Sequence, residues 1–118
     1  MSFQSPKQWD IWYAELRAGI RGEQTYQHNV LVVSSVGIQH SSRTVIVAPI
    51  TTTHRDVPWL VQIDPENAGI DRRSWIECDQ LQALTPSPER FKTFRCRLAE
   101  SRRPFVVAAL RYVFDGAL

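Results

Sequence analysis

The sequence predicts a mainly β (α+β) domain: a small, strongly bent antiparallel sheet or barrel carrying one amphipathic helix at its C-terminus. Three observations lead there. Five or six short runs rich in β-branched and aromatic residues follow one another with mostly short connections. No helix-length pattern separates them, as a βαβ fold would require. The apolar period changes from two to that of a helix only near the end of the chain. With 118 residues, 43% of them hydrophobic, and no low-complexity tract or linker, the expectation is one domain over 1–118.

Residues 9–16, WDIWYAEL, mix aromatic and β-branched residues with alternating polar positions and read as the first strand. The following loop, 17–27, is long for a hairpin connection, and such loops often carry function. Residues 30–35 read as the second strand, with His28 and Asn29 at the seam where loop becomes strand. SVGIQHSSR supplies turn residues before the third strand, TVIVAPI at 44–50. Pro49 has no N–H for a ladder, so this strand is expected to bulge or to lie at an edge near its end. Residues 59–63 form a short fourth strand and 75–84 a fifth. In the fifth run the apolar positions are Ile76 and Cys78, then Leu81 and Ala83, so the alternation changes phase across Asp79-Gln80. A regular strand would send one of those pairs to the wrong face, which implies a bulge or sharp bend. PSPER marks a loop, and 94–98 a short last strand. Phe105, Val106, Ala109, Leu110 and Val113 then trace the stripe of a core-facing helix, with Ser101 able to cap it and Pro104 tolerable in its first turn.

Composition limits the function classes. No apolar run approaches the roughly 20 residues needed to cross a bilayer. The first 25 residues carry Trp9, Trp12 and several charges where a signal peptide needs an apolar stretch, so a cytoplasmic protein with no membrane partner is expected. Cys78 and Cys96 are too few for a disulfide framework and read as buried free thiols. The net charge of +2 says little, yet twelve of the fourteen cations are Arg, whose planar fork suits phosphate and stacks on bases. Genomic base composition produces the same bias. His28, His40 and His54 are not spaced as a ligand pair and no cysteine lies near another, so no metal site is expected. Phosphate-loop, nucleophile-elbow and zinc-protease signatures are absent.

What remains is a set of polar groups at strand ends: His28-Asn29, the run Thr51-Thr52-Thr53-His54-Arg55, and Asp79-Gln80 at the change of phase. In a small antiparallel barrel the end of one strand and the start of its hairpin partner share a rim, which would bring His28 to Thr51. The alternative from spacing alone is a histidine satisfying local backbone groups beside a solvated threonine turn. Asp79 and Gln80 either point into a cleft or sit on a solvated kink.

The order of IWYAEL, RGEQ, VLVVSS, VIVAPITTT, PWLVQI, CDQLQAL and an amphipathic end helix resembles the MazF/PemK (Kid) family of toxin endoribonucleases, from about Trp9 to Val113. Gly22-Glu23-Gln24, Pro49-Ile50-Thr51 and Cys78-Asp79-Gln80 are its most specific pieces. The resemblance implies an SH3-like barrel, a homodimer, the toxin role in a type II toxin-antitoxin system, and inhibition by a flexible segment of a cognate antitoxin. It further implies metal- and cofactor-independent, sequence-specific cleavage of single-stranded RNA (mRNA). Residue by residue, the family's strand-end threonine, which handles the reacting phosphate, falls on Thr51, and the aspartate of its C-D-Q run on Asp79. Three positions depart: Glu77 replaces an arginine, Gly22 a histidine, and His28-Asn29 the catalytic Arg-Pro at the head of the second strand.

Cleavage by the RNA's own 2′-hydroxyl needs a base, an acid and donors for the phosphorane charge. Imidazole, with a reference pKa of about 6.5, serves either proton-transfer role, whereas arginine acts mainly as an electrostatic clamp. The expected catalytic set is therefore His28 as acid or base, Thr51 on the phosphate and Asp79 orienting His28. Arg21, Gln24, Arg55 and Gln80 are expected to contact RNA, with Arg21 or Arg55 restoring the missing charge. Base preference is expected to depend on the 17–27 loop and on Arg72-Arg73. Trp9, Trp12, Trp59 and Trp75 either fill the core or form a dimer face or antitoxin groove. The alternative is a non-catalytic binder of the same fold: an inactive relative, or a gyrase poison of the CcdB kind. The Trp-Gly-Ile chain end typical of the latter is missing from the terminal residues Phe114-Asp115-Gly116-Ala117-Leu118.

Overall fold

In a computed structural model, residues 3–17, 26–67 and 69–116 are described. Strand β1 (Asp10–Leu16) precedes β2 (Tyr26–Val32), a short helix α1 (Val36–Ser42), β3 (Val45–Thr51), β4 (Leu60–Ile63), β5 (Ser74–Glu77), β6 (Gln82–Leu84), β7 (Phe91–Arg97) and helix α2 (Arg103–Asp115). The seven strands form one antiparallel sheet in the order β4-β5-β3-β2-β1-β7, with β6 also paired to β3. Among the described residues the hydrogen-bonded path stays open between β4 and β7. The fold is the bent, mainly β sheet with a terminal helix that the alternation predicts.

Period-two alternation sorts the side chains onto two faces. Ile11, Leu31, Ala48, Ile50, Ile63 and Ile76 point one way and bury against Val106 and Ala109 of α2. Trp12, Leu16, Val30, Val32, Val45 and Val47 point the other way and bury with Leu84 and Phe91 inside the curl of the sheet. Burying each such side chain contributes about 1.5–3 kcal/mol. Trp12 sits at the centre of the second core, edge-on to Phe91 and Phe94 with ring centroids 5.9 and 5.6 Å away. Its indole N–H donates to Asp10, a buried carboxylate that also accepts from the backbone N–H of Lys7 and from Arg97.

Several boundaries differ from the sequence expectation. The second strand begins at Tyr26 rather than at residue 30 and ends at Val32, so His28 and Asn29 lie inside it, held by β1 through Ala14↔His28 and Tyr13↔Asn29. The segment read as a turn after it contains α1, a helix with no buried residue that ends on Arg43 in the left-handed region. Pro49 lies on a central strand rather than an edge. It pairs with Val30 on one side, and on the other it falls between the stretch bound to β6 (Val45–Val47) and the stretch bound to β5 (from Ile50). The residue lacking an N–H thus sits where one partner gives way to another.

The fifth run is two strands, β5 and β6, separated by a turn in which Gln80 N–H donates to the Glu77 carbonyl at 3.2 Å. That turn is the physical form of the change of phase. The last strand starts at Phe91, three residues earlier than expected. In α2, Val106 and Ala109 are buried and Leu110 and Val113 pack on the core, but Phe105 is exposed beneath the Arg102 guanidinium, 4.3 Å from its ring centre. Ser101 lies in a turn of 3-10 helix and does not cap α2, whose N-cap is Arg102; Pro104 does occupy its first turn. Gly116, at φ 71°, ends it with its N–H on the Tyr112 carbonyl, a conformation only glycine adopts cheaply.

Candidate active site

The register of β2 on β3 generates the site. The two strands are hydrogen-bonded at Val32↔Val47, Leu31↔Ala48 and Val30↔Pro49, and no further. Both nevertheless continue as strands: β2 back to Tyr26, held by β1, and β3 on to Thr51, held by β5 through Ile50↔Ile76 and Thr51↔Trp75. Each is committed to its other neighbour, so a gap opens between them. By register count His28 and Thr51 are corresponding positions two residues past Val30↔Pro49, in the side-chain phase of one face of the sheet, with no backbone pairing joining them. Trp75 and Glu77 share that face on β5, because Ile76 between them points into the α2 core.

A cleft of about 220 Å³ occupies this end of the sheet, lined by Arg17, Tyr26, Pro49, Glu77, Gln80 and Gln82. One wall is a side-chain clasp. The Gln82 amide accepts from the Arg17 backbone N–H at 3.0 Å and donates to the Arg17 carbonyl at 2.7 Å, while the Arg17 guanidinium donates to the Ala83 carbonyl at 3.1 Å. The end of β1 is thereby tied to β6 where no ladder joins them. Larger concavities, about 600 Å³ along α2 beside Trp9 and about 760 Å³ beside His40 and Lys7, contain none of the residues expected at the site.

His28 is half-buried, with Nδ1 3.2 Å from the Asn29 carbonyl and its ring edge-on to Tyr26 at 5.9 Å. A proton on Nδ1 satisfies that carbonyl and leaves Nε2 for another partner. Asn29 points to the opposite face, where its side-chain oxygen accepts from Arg95 Nε at 3.3 Å. Thr51 Oγ1 accepts from the Thr53 backbone N–H at 3.1 Å, which leaves the hydroxyl hydrogen available to donate. His54 stacks on Trp75 with centroids 4.8 Å apart.

Asp79 Oδ2 accepts from the Gln80 side-chain amide at 3.1 Å, and its buried Oδ1 has no hydrogen-bond partner among the described residues. No hydrogen bond joins Asp79 to His28 among those residues. Arg55 is exposed, immediately beyond β3. Arg21 and Gln24, like Gly22 and Glu23, lie outside the described residues. Arg72 and Arg73 sit apart, Arg73 paired to Asp64 at 2.7 Å. Of the expected site residues that are described, Gln80 alone lines the cleft at this end of the sheet; His28, Arg55 and Asp79 lie within electrostatic reach of Glu77, and Thr51 pairs with Trp75, two residues before Glu77 on β5.

The electrostatic centre of that end is a residue the sequence reading treated only as a departure. Burial, and then the Asp79 charge, push the Glu77 carboxyl above its usual range, while His28 and Arg55 pull it down. Burial and then Glu77 raise the Tyr26 hydroxyl. The Cys78 thiol, between Glu77 and Asp79 in sequence but buried in the α2 core, is pushed up to about 12 by burial and then by Asp79. Glu77 was passed over because comparison with the family singled out only what is absent there, and Tyr26 because it was read as part of the 17–27 loop. The alternation Trp75, Glu77 against Ile76 was the signal that could have placed the carboxylate on the open face.

A bent antiparallel sheet of seven strands with a helix packed on one face and a polar cleft at one end defines a small, mainly β domain. The chain belongs to the family of PemK-like, MazF-like toxins of type II toxin-antitoxin systems, whose model matches residues 7–114. The Mycobacterium tuberculosis toxin MazF-mt6 superposes with a TM-score of 0.72 at 26% identity, covering 90% of this chain and 96% of that one. MazF from Deinococcus radiodurans has the same fold, with a TM-score of 0.75 at 14% identity over 94% and 97% of the two chains. So does a structure described as an endoribonuclease in complex with its cognate antitoxin from a mycobacterial species, with a TM-score of 0.72, 17% identity, and 92% and 94% coverage. Comparison with curated proteins gives no match. Among the described residues no helix is long and apolar enough to cross a membrane, and no group of three or more His, Cys, Asp or Glu could hold a metal ion.

Proposed function

We propose that this toxin is a sequence-specific endoribonuclease that cleaves single-stranded RNA, mRNA in the cell, by attack of a 2′-hydroxyl on the adjacent phosphate. The observation that carries the reading is that β2 and β3 stop pairing at Val30↔Pro49 while each continues on its other neighbour, so that His28 and Thr51 fall at corresponding register positions beyond the last pair. Family membership and the description of one structural relative as an endoribonuclease support it. The reaction needs no metal, because the nucleophile is part of the substrate and the proton transfers fall to side chains.

In this reading His28 is the acid or base, and the Thr51 hydroxyl donates to a phosphate oxygen. Arg55, with Arg21 from the preceding loop, supplies positive charge to the phosphorane. Gln80 and Gln24 contact bases, and Asp79 acts as a positioning charge. The working form is a homodimer in the cytoplasm, silenced when a flexible segment of the cognate antitoxin covers the site.

The competing reading, a binder without catalysis, draws on Glu77, a carboxylate where the family carries a cation. Incubating the purified protein with a long RNA in EDTA separates the two. Discrete fragments are expected, and intact RNA would overturn the ribonuclease reading.

A further inference from the structure

Resting on that reading, we infer that Glu77 is a second catalytic residue, the base that takes the 2′-hydroxyl proton, and that His28 is the acid that protonates the leaving 5′-oxygen. A single imidazole does not serve both ends of the scissile phosphate at once, because the nucleophile enters and the leaving group departs on nearly opposite sides of phosphorus. A second proton-transfer group is required, and Glu77 is placed for it. It ends β5 on the face that carries Thr51 and Trp75, lines the 220 Å³ cleft, and lies within electrostatic reach of His28.

The alternatives at this end of the sheet are bonded, buried or held protonated. Asp79 has one oxygen on Gln80 and the other buried, Gln82 is spent on the Arg17 backbone, and the Tyr26 hydroxyl is held protonated by burial and by Glu77 itself. No hydrogen bond among the described residues engages the Glu77 carboxylate.

The protons balance. The Glu77 carboxylate accepts the 2′-hydroxyl hydrogen as the 2′-oxygen bonds to phosphorus. The bond from phosphorus to the 5′-oxygen breaks, and the His28 imidazolium donates its proton to that oxygen. A 2′,3′-cyclic phosphate and a 5′-hydroxyl result, leaving Glu77 protonated and His28 neutral until solvent exchange resets both. The assignment of base to Glu77 and acid to His28 follows from the chemistry of the two groups: a carboxylate accepts a proton and an imidazolium donates one. The burial that raises Glu77 makes it a better base at working pH. The charged or titratable groups around it are Tyr26 and His28 of β2, Arg17 past β1, Arg55 past β3, and Asp79. Its β4 and β6 neighbours, Leu60 and Gln82, carry no charge.

The test uses the parent, Glu77→Gln and His28→Ala on a defined RNA in EDTA. A second RNA carries sulfur in place of the 5′-bridging oxygen, a leaving group that departs as a thiolate without an acid. Glu77→Gln is expected to lose roughly 10²- to 10⁴-fold on both substrates, and its pH profile to lose the acidic limb. His28→Ala is expected to lose as much on ordinary RNA and to recover on the sulfur substrate. Parental rates from Glu77→Gln would overturn the inference while leaving the ribonuclease reading intact. Recovery of Glu77→Gln by sulfur would make Glu77 the acid, overturning it equally. Failure of the parent to cut either RNA would remove the reading and the inference together.

Discussion

Both backbone polar groups of Arg17 are taken by the side-chain amide of one residue, Gln82, 65 positions further along the chain. The amide imitates a strand partner and fixes the end of β1 against β6, forming one wall of the cleft. Gln82→Ala leaves that N–H and carbonyl to water, and is expected to cost about 1–2 kcal/mol of stability, measured by denaturant unfolding, since each hydrogen bond contributes on the order of 1 kcal/mol. RNA cleavage should fall with it, because Arg17 and Tyr26 lose their support.

His28→Ala should slow cleavage roughly 10²- to 10⁴-fold and remove the alkaline limb of the pH–rate profile, which reports loss of the acid. The measurement is initial rate from about pH 5 to 9. An unchanged profile would exclude His28 from proton transfer.

Glu77 also has a signature in stability. Its folded carboxyl lies above the ordinary value of 4.5, so the folded state holds the proton more tightly than the unfolded chain does. Its favourable contribution is complete below that ordinary value and is lost as pH rises through the folded pKa. Glu77→Gln, which cannot ionise, should therefore melt higher than the parent at pH 7, with the gap closing below about pH 4. A charge retained at a cost to stability is the pattern expected of a working residue.

Thiol reactivity separates the two cysteines. With the Cys78 thiol pushed up to about 12, its thiolate fraction at pH 8 is about one part in 10⁴. Cys96 is half-buried and its sulfur accepts from the Gly69 N–H at 2.6 Å. Titration of the native protein with a chromogenic disulfide should consume at most one thiol promptly, and Cys96→Ser should abolish that phase. The second thiol should appear only on unfolding.

The bent sheet and the closing helix were legible because the core obeys simple periods, and the family through the order of its motifs. Ile11 alternates with Trp12, Val45 and Val47 with Ala48 and Ile50, and Val106, Ala109 and Val113 follow a helical stripe. Legibility failed where burial stopped dictating sequence. Tyr26 to Asn29 form strand, yet they border a gap and so show no apolar alternation; they read as loop. Helix α1 buries nothing and carries Gly, Ser and His, so it read as turn. Phe105 fits the stripe but is covered by Arg102 instead of core. At the candidate site, His28, Thr51 and Asp79 were singled out by their places at strand ends and at the change of phase, and the family motifs pointed again to Thr51 and Asp79. Glu77 was not singled out because the role inferred for it comes from strands that neighbour it in space, β2 and the end of β3.

Attack by the substrate's own hydroxyl is the claim on which the account turns, and one RNA tests it. An oligonucleotide containing the preferred cut site is made twice, once as all-ribose and once with a single 2′-deoxy sugar on the 5′ side of the scissile phosphate. The account predicts a cut only in the first, yielding a 2′,3′-cyclic phosphate and a 5′-hydroxyl. Cleavage of the deoxy-substituted bond at a comparable rate would contradict it.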